Sequence, residues 1–168
     1  HIVTVSSSSI RNIERCLEQS ELEVDKIVLN SIAQSNAILT QEDKDSGVCL
    51  VDIGAGVTSY SVFSEEGIVR SGVIAFGGDE ITQEIAYAFD TSFEEAKRLK
   101  EYYGVAKSSS IGEEKFIDFT QSTNKDEHQL SSLELSEVIE MAYLEIFILL
   151  KNELKHHNLD VIIKSGFV

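Results

Sequence analysis

The middle of the chain carries three apolar runs separated by turn residues. Val48-Cys49-Leu50-Val51 has no polar interruption, the pattern of a central strand covered on both faces. Thr58 to Phe63 and Ile68 to Ile74 predict two further strands, with Glu65-Glu66-Gly67 as the tight turn between them. Three successive strands joined by tight turns make a meander, where an ordinary dinucleotide-binding fold would have a helical crossover. Upstream, a short apolar run at Ile2 to Val5 leads into Ser6 to Ser9 and a helical pattern at Ile10, Ile13, Cys16 and Leu17. One of those serines is expected to cap the helix by accepting an orphaned amide hydrogen. Val24 to Leu29 predicts a strand, Ser31 to Leu39 a short helix and Gln41 to Gly47 a charged turn.

Downstream, Gly77-Gly78-Asp79 opens a helix from Glu80 to Phe89, with Ile81, Ile85, Ala86 and Phe89 on one side. Thr91 or Ser92 begins a second helix, Phe93 to Tyr103, with Glu94 and Glu95 near the positive end of its dipole. From Lys107 to Ser132 the composition is polar, and only Lys115 to Phe119 and His128 to Leu130 read as strands. A long helix follows, Leu133 to Lys155. Its stripe Leu135, Ile139, Ala142, Ile146 and Leu149 steps by three or four along one face, Val138 and Met141 widen it, and Tyr143, Phe147 and Leu150 lie around it. Asp160 to Ile163 predicts a last strand. The chain starts on a histidine and stops on Gly166-Phe167-Val168, where a buried strand is under way, as expected of a segment excised from a longer protein.

A chain of 168 residues, 42% hydrophobic and 26% charged, suits one main domain with a smaller lobe attached. Fourteen basic residues against twenty-nine acidic ones give a net charge of -15, which repels nucleic acid and anionic lipid, and no local basic patch offsets it. An acidic face suits a basic partner. Cys16 and Cys49 read as buried thiols of a reducing compartment. Ile146 to Leu150, the longest apolar run, is too short to cross a bilayer, and no signal peptide is evident, so a cytoplasmic location is expected. His156 and His157 diverge by about 100° on a helix and are expected to face solvent rather than share a metal. Lys97-Arg98 and Lys100 read by themselves as a solvated face alternating with glutamates. The serine runs at Ser6 to Ser9 and Ser108 to Ser110 read as caps and loops, and no residue reads as catalytic.

The stretch with chemical content is Asp52-Ile53-Gly54-Ala55-Gly56-Val57-Thr58. Gly54 and Gly56 let the backbone turn tightly and approach a ligand, so that successive amides converge on phosphate oxygens. Asp52 ends the preceding strand, where it is placed to hold a magnesium ion through water, and Thr58 offers a hydroxyl. The P-loop lysine and the strand-to-helix turn of the Rossmann fingerprint are both absent. The motif alone fits an ordinary glycine hairpin equally well.

Gly47 to Phe63, GVCLVDIGAGVTSYSVF, resembles the second phosphate motif of the actin, sugar-kinase and seventy-kilodalton heat-shock superfamily. A longer resemblance, to the FtsA family of bacterial cell-division proteins, runs through Leu22, Val24-Asp25, Ala37-Ile38-Leu39-Thr40, Val73-Ile74, Gly77-Gly78-Asp79, Thr82 and Ile85-Ala86-Tyr87. It continues through Lys100 and Tyr103-Gly104-Val105-Ala106 and resumes at Leu135 to Glu140, with Lys107 to Leu130 the weakest stretch.

The resemblance implies an α/β, actin-like (ribonuclease H-like) nucleotide-binding domain, partial, with a small inserted α+β lobe. It implies residues 1–22 as the end of a preceding subdomain and connecting helix, 23–78 with 156–168 as the core, and 79–155 as the lobe. Asp52 is implied as the magnesium-side carboxylate, with Gly54, Gly56 and Thr58 around the terminal phosphates of ATP. Gly77 and Gly78 are implied near the nucleotide, and Glu94, Lys97 and Lys100 on the helix passing the ribose and adenine. The family role implied is an ATP-binding adaptor that tethers FtsZ filaments to the inner face of the membrane at the division site. The resemblance further implies that the lobe receives the FtsZ carboxyl-terminal tail, that other division proteins bind, and that the complete protein self-associates as actin-like filaments. Membrane contact is implied only for regions outside this chain. The acid suited to a basic tail is Glu113, Glu114, Asp118, Asp126, Glu127, Glu134, Glu137 and Glu140.

Ala55, Val57 and Ser59 stand where the family has glycine, threonine and aspartate. The missing carboxylate at Ser59 counts against efficient hydrolysis, although actin lacks an aspartate there too, so at most a weak ATPase is expected of the complete protein and none of this segment. The first phosphate loop, the adenosine motif and the membrane helix of the family also fall outside it. Alternative readings are a sugar- or acetate-type kinase of the same superfamily and a pure protein-binding module.

Overall fold

A computed structural model describes residues 4–123 and 127–168. Ile2, Val3 and Asp126 lie outside the described residues. The chain divides into two compact units, His1–Ile38 and Leu39–Val168.

In His1–Ile38 the helices are α1 (Ser7–Gln19) and α2 (Asn30–Ile38). Ser6 occupies the capping position of α1, but its hydroxyl takes no helix amide and instead pairs with the Ser8 hydroxyl at 2.7 Å. The strand predicted at Val24 to Leu29 does not form. Its residues enter no ladder among the described residues, and Val24, Ile27 and Val28 are exposed. A run rich in β-formers becomes a strand only with a neighbour to pair with. Cys16 is exposed, contrary to the expected burial, whereas Cys49 is buried and its thiol is pushed up to about 12 by desolvation.

In Leu39–Val168 the expected charged turn is a short helix, α3 (Gln41–Ser46). Thr40 and Asp43 cap it reciprocally: Asp43 N donates to Thr40 Oγ1 at 3.1 Å, and Thr40 N donates to the Asp43 carboxylate at 2.9 Å. The side-chain bond from Thr40, then the backbone one, hold the Asp43 carboxyl below its usual range. Gly47 ends the helix at φ 90° and delivers the chain to β1.

The predicted meander is β1 (Val48–Ile53), β2 (Thr58–Ser64) and β3 (Gly67–Ile74), all antiparallel. A two-residue strand, β6 (Gly166–Phe167), lies parallel to β1, so the sheet order is β3-β2-β1-β6. Asp160 to Ile163, predicted as that strand, is a turn closed by Ile162 N donating to Leu159 O at 3.0 Å.

Between β3 and β6 come α4 (Gly78–Ala88), α5 (Phe93–Tyr103), a short 3-10 turn at Ser108–Ser110, and the antiparallel pair β4 (Phe116–Thr120) and β5 (Glu127–Ser131). The 25-residue α6 (Ser132–His156) follows. One hydrophobic cluster joins α4, α5, β4, β5 and α6 as far as Ile146 through Ile81, Ile85, Leu99, Phe119, Leu130 and Leu135. A second packs Leu150 and Leu154 of α6 with Cys49, Tyr60, Val62 and Ile74 of the sheet, and a third is Leu39, Val48, Leu50 and Phe63. The buried line of α6 therefore ends on Ile146, Leu150 and Leu154, while Leu149 is half-buried, reversing the expected order of Leu149 and Leu150. Steps of four carry the line round the helix as it passes from one cluster to the next.

Candidate functional site

The β1–β2 register pairs Asp52 with Ser59 and Ile53 with Thr58, so the hairpin tip is residues 54–57. Gly54 N donates to Val57 O at 2.9 Å and closes it. A Cβ on Gly54 would stand 3.0 Å from Val57 O, whereas one on Gly56 would meet nothing within 4 Å. Gly56 also lacks a positive φ, so the fold itself does not demand glycine there. Among the described residues the amides of Ala55 and Gly56 donate to no acceptor, and both residues are exposed. A bare backbone with outward amides fits the approach of an anion.

Behind the tip, the segment from Phe76 to Asp79 is fastened to it. Thr58 is buried, and its hydroxyl donates to Phe76 O at 2.8 Å. Gly78 N donates to Gly54 O at 2.9 Å and Asp79 N to Ala55 O at 2.7 Å. Gly77 N donates to the Glu80 carboxylate at 2.8 Å. A Cβ on Gly77 would lie 2.6 Å from Ala55 O, 2.7 Å from Gly54 O and 2.8 Å from Val57 N. Its φ of -155° is ordinary extended backbone, so close approach, not conformation, requires the glycine. First-turn amides of a helix commonly serve as an anion site. Here those of Gly78 and Asp79 are spent on the hairpin. The proton of Thr58 is likewise committed to Phe76.

Lys100 approaches from α5. Its Nζ donates to Gly78 O at 2.5 Å and to Thr82 Oγ1 at 2.6 Å, while Thr82 Oγ1 donates to Gly78 O at 3.0 Å. Burial lowers the Lys100 pKa, with Asp79 and Glu101 opposing the shift. Glu94 and Lys97 are exposed on α5, and their side chains make no hydrogen bond or ion pair among the described residues. The structure thus gathers Asp52, Gly54, Gly56, Thr58, Gly77, Gly78 and Lys100, and leaves Glu94 and Lys97 at the surface. Sequence reasoning missed the parts played by Phe76, Glu80 and Thr82. Glu80, three residues after Gly77, has the spacing of a capping glutamate and could have been found that way.

The basic cluster is not simply solvated. Arg98 forks onto the Glu95 carboxylate at 2.9 and 2.7 Å and donates to Asp118 O at 2.9 Å, which ties α5 to β4. His157 is half-buried, with Arg70 donating to its Nε2 at 2.8 Å. Among the described residues no three His, Cys, Asp or Glu side chains converge to hold a metal. No helix of the described residues is long and apolar enough to cross a membrane.

A mixed sheet opening with an antiparallel meander and closed by a parallel strand after a helical insertion is a partial actin-like, ribonuclease H-like α/β fold. The solved structure of MreB5 of Spiroplasma citri bound to ADP superposes with a TM-score of 0.76 at 19% identity, over 97% of this chain and 53% of that one. The family model for cell division protein FtsA matches residues 49–165. The chain belongs to the FtsA family of actin-like cell-division proteins. It is 36% identical over its whole length to the FtsA of Pseudomonas aeruginosa, covering 40% of that protein, and 29% identical over 99% of its length to that of Escherichia coli K12, covering 42%. The chain thus spans about two fifths of the length of these relatives.

Proposed function

We propose that this chain forms one wall of the ATP site of a division-ring adaptor, which links FtsZ filaments to the inner face of the cell membrane. The observation that carries the reading is the hairpin tip: two exposed residues, Ala55 and Gly56, whose amides have no acceptor among the described residues, braced by the start of α4. The tip amides take the terminal phosphates and Asp52 holds magnesium through water. Magnesium, when bound, offsets the phosphate charge. Ser59 leaves the β2 side of the hairpin without a carboxylate, which fits slow hydrolysis at most. Residues 23–78 with 156–168 are the proposed core and 79–155 the proposed lobe; the hydrophobic cluster of α4, α5, β4 and β5 supports the lobe up to Ile146, while Leu150 and Leu154 of α6 pack with the sheet.

Asp52→Ala in the complete protein tests this. A carboxylate acting through water on a metal is worth about 10- to 100-fold in affinity, so magnesium-dependent ATP binding should weaken by that factor with the melting temperature nearly unchanged. Normal binding together with much lower melting would make Asp52 a structural carboxylate and the hairpin an ordinary turn. Phosphoryl transfer to a sugar or acetate by the complete protein would favour the kinase reading instead.

The lobe is the proposed receiver of the FtsZ tail. Glu114 accepts from the Ser131 hydroxyl, Asp118 from Gln129 Nε2, Glu134 from Ser131 N, and Glu140 from Ser108, so these four carboxylates already serve the lobe itself. Glu113, Glu127 and Glu137 are exposed and their carboxylates accept no hydrogen bond among the described residues, so they are the ones proposed for basic side chains of a tail. Titration with the tail peptide at two salt concentrations should give micromolar or looser binding that weakens as salt rises. Amide shifts confined to the hairpin at Asp52 would overturn the assignment.

A further inference from the structure

We propose that Lys100 is a positioning residue that clamps the first turn of α4 against the hairpin, rather than a contact to the ribose or base. The inference rests on the nucleotide reading of the hairpin given above.

Two of the three donors of the ammonium are spent inside the protein, on Gly78 O and Thr82 Oγ1. The acceptors lie one turn apart at the start of α4, and Thr82 is fully buried. Gly78 is also the residue whose amide holds Gly54 O, beside Asp79 N on Ala55 O. A continuous path therefore runs from α5 through Lys100 to Gly78 and on to the tip. A cation beside a helix N-terminus runs against the helix dipole, so helix stability does not account for its position. Burial opposes the charge as well. What the arrangement achieves is a fixed Gly78 carbonyl, and hence a fixed orientation for the peptide groups of residues 77–79 that brace the tip. Removing the clamp would leave the phosphate amides on a looser hairpin.

Lys100→Met in the complete protein keeps most of the stem and removes the donors. Thr82→Val, nearly isosteric, removes the shared hydroxyl and serves as a second route if the first variant folds poorly. Two measurements are compared with the parent. One is hydrogen exchange over residues 77–80 without ligand. The other is affinity for magnesium-ATP and for magnesium tripolyphosphate, which has no ribose or base. Loss of charge-assisted bonds to Gly78 should raise exchange about tenfold and weaken both ligands by a common factor of about ten. Loss confined to ATP, with exchange unchanged, would overturn the clamp and place Lys100 on the nucleoside. No change in any measurement would overturn it too. Failure of the parent to bind either ligand would sink the nucleotide reading, and the exchange measurement would still decide whether the clamp exists.

Discussion

Alanine at Gly47 is expected to be among the most damaging single methyl groups that can be added to this fold. The added Cβ would stand 2.0 Å from Ile162 O and 3.1 Å from Ile162 C, both backbone atoms. The residue has φ +90°, which side chains rarely adopt. Neither segment can step aside easily, because Gly47 O accepts from both Lys164 N and Ser165 N at 2.9 Å and so anchors the chain entering β6. Backbone strain and steric overpacking together should cost about 4 kcal/mol. For a domain of this size that lowers the melting temperature by about 10 °C. Thermal unfolding of the variant is the measurement, and melting within two or three degrees of the parent would show that the Gly47–Ile162 approach is looser than described.

Gly77→Ala should be the second large effect, and the more informative one for the site. Its methyl would press on the backbone of Gly54, Ala55 and Val57 at once, so no flexible side chain is available to give way. The start of α4 must retreat, and the bonds from Gly78 N and Asp79 N to the hairpin go with it. We expect a stability loss of about 2–3 kcal/mol and, on the nucleotide reading, a fall in magnesium-ATP affinity of at least about tenfold. Gly56→Ala is the matched control: its methyl meets nothing within 4 Å, so stability should move by less than about 0.5 kcal/mol. If Gly56 is bare for a ligand's sake, that variant binds ATP less well all the same. Similar stability losses at the two positions would contradict the account of the hairpin.

The meander and the two helices after it were legible in the sequence because each carries its own signal. Val48 to Val51 is a run with no polar break, and Ser92 caps α5 by accepting from Glu95 N at 3.2 Å, where capping chemistry places it. The errors have a common origin in partners that a linear pattern does not name. Val24 to Leu29 has the composition of a strand without a ladder. Asp160 to Ile163 is apolar enough for one, but the chain turns there and pairs only at Gly166 and Phe167. Thr40 and Asp43 did carry a capping signal, outweighed by the charge of the segment between them and Gly47. At the site, the glycines and Asp52 stand in one stretch and could be read together. Thr82 and Lys100 are 18 residues apart and their contact follows only from the packing of α4 on α5. Thr58 looked like a ligand hydroxyl, and only the fold reveals that its proton already belongs to Phe76.

One helix, α6, takes part in both larger clusters: Leu135 to Ile146 in the first, Leu150 and Leu154 in the second. Its 25 residues include neither glycine nor proline, and it is about 37 Å long at 1.5 Å per residue. Sharp bends in helices occur almost always at such residues or at inserted turns. α6 therefore behaves as a stiff beam set in both packed regions, without a joint along its length. A push on residues near Leu135 would arrive at Leu154 as a tilt of the whole rod, and partial melting of either region would strip the beam of half its support, so the two should lose their structure together in one transition.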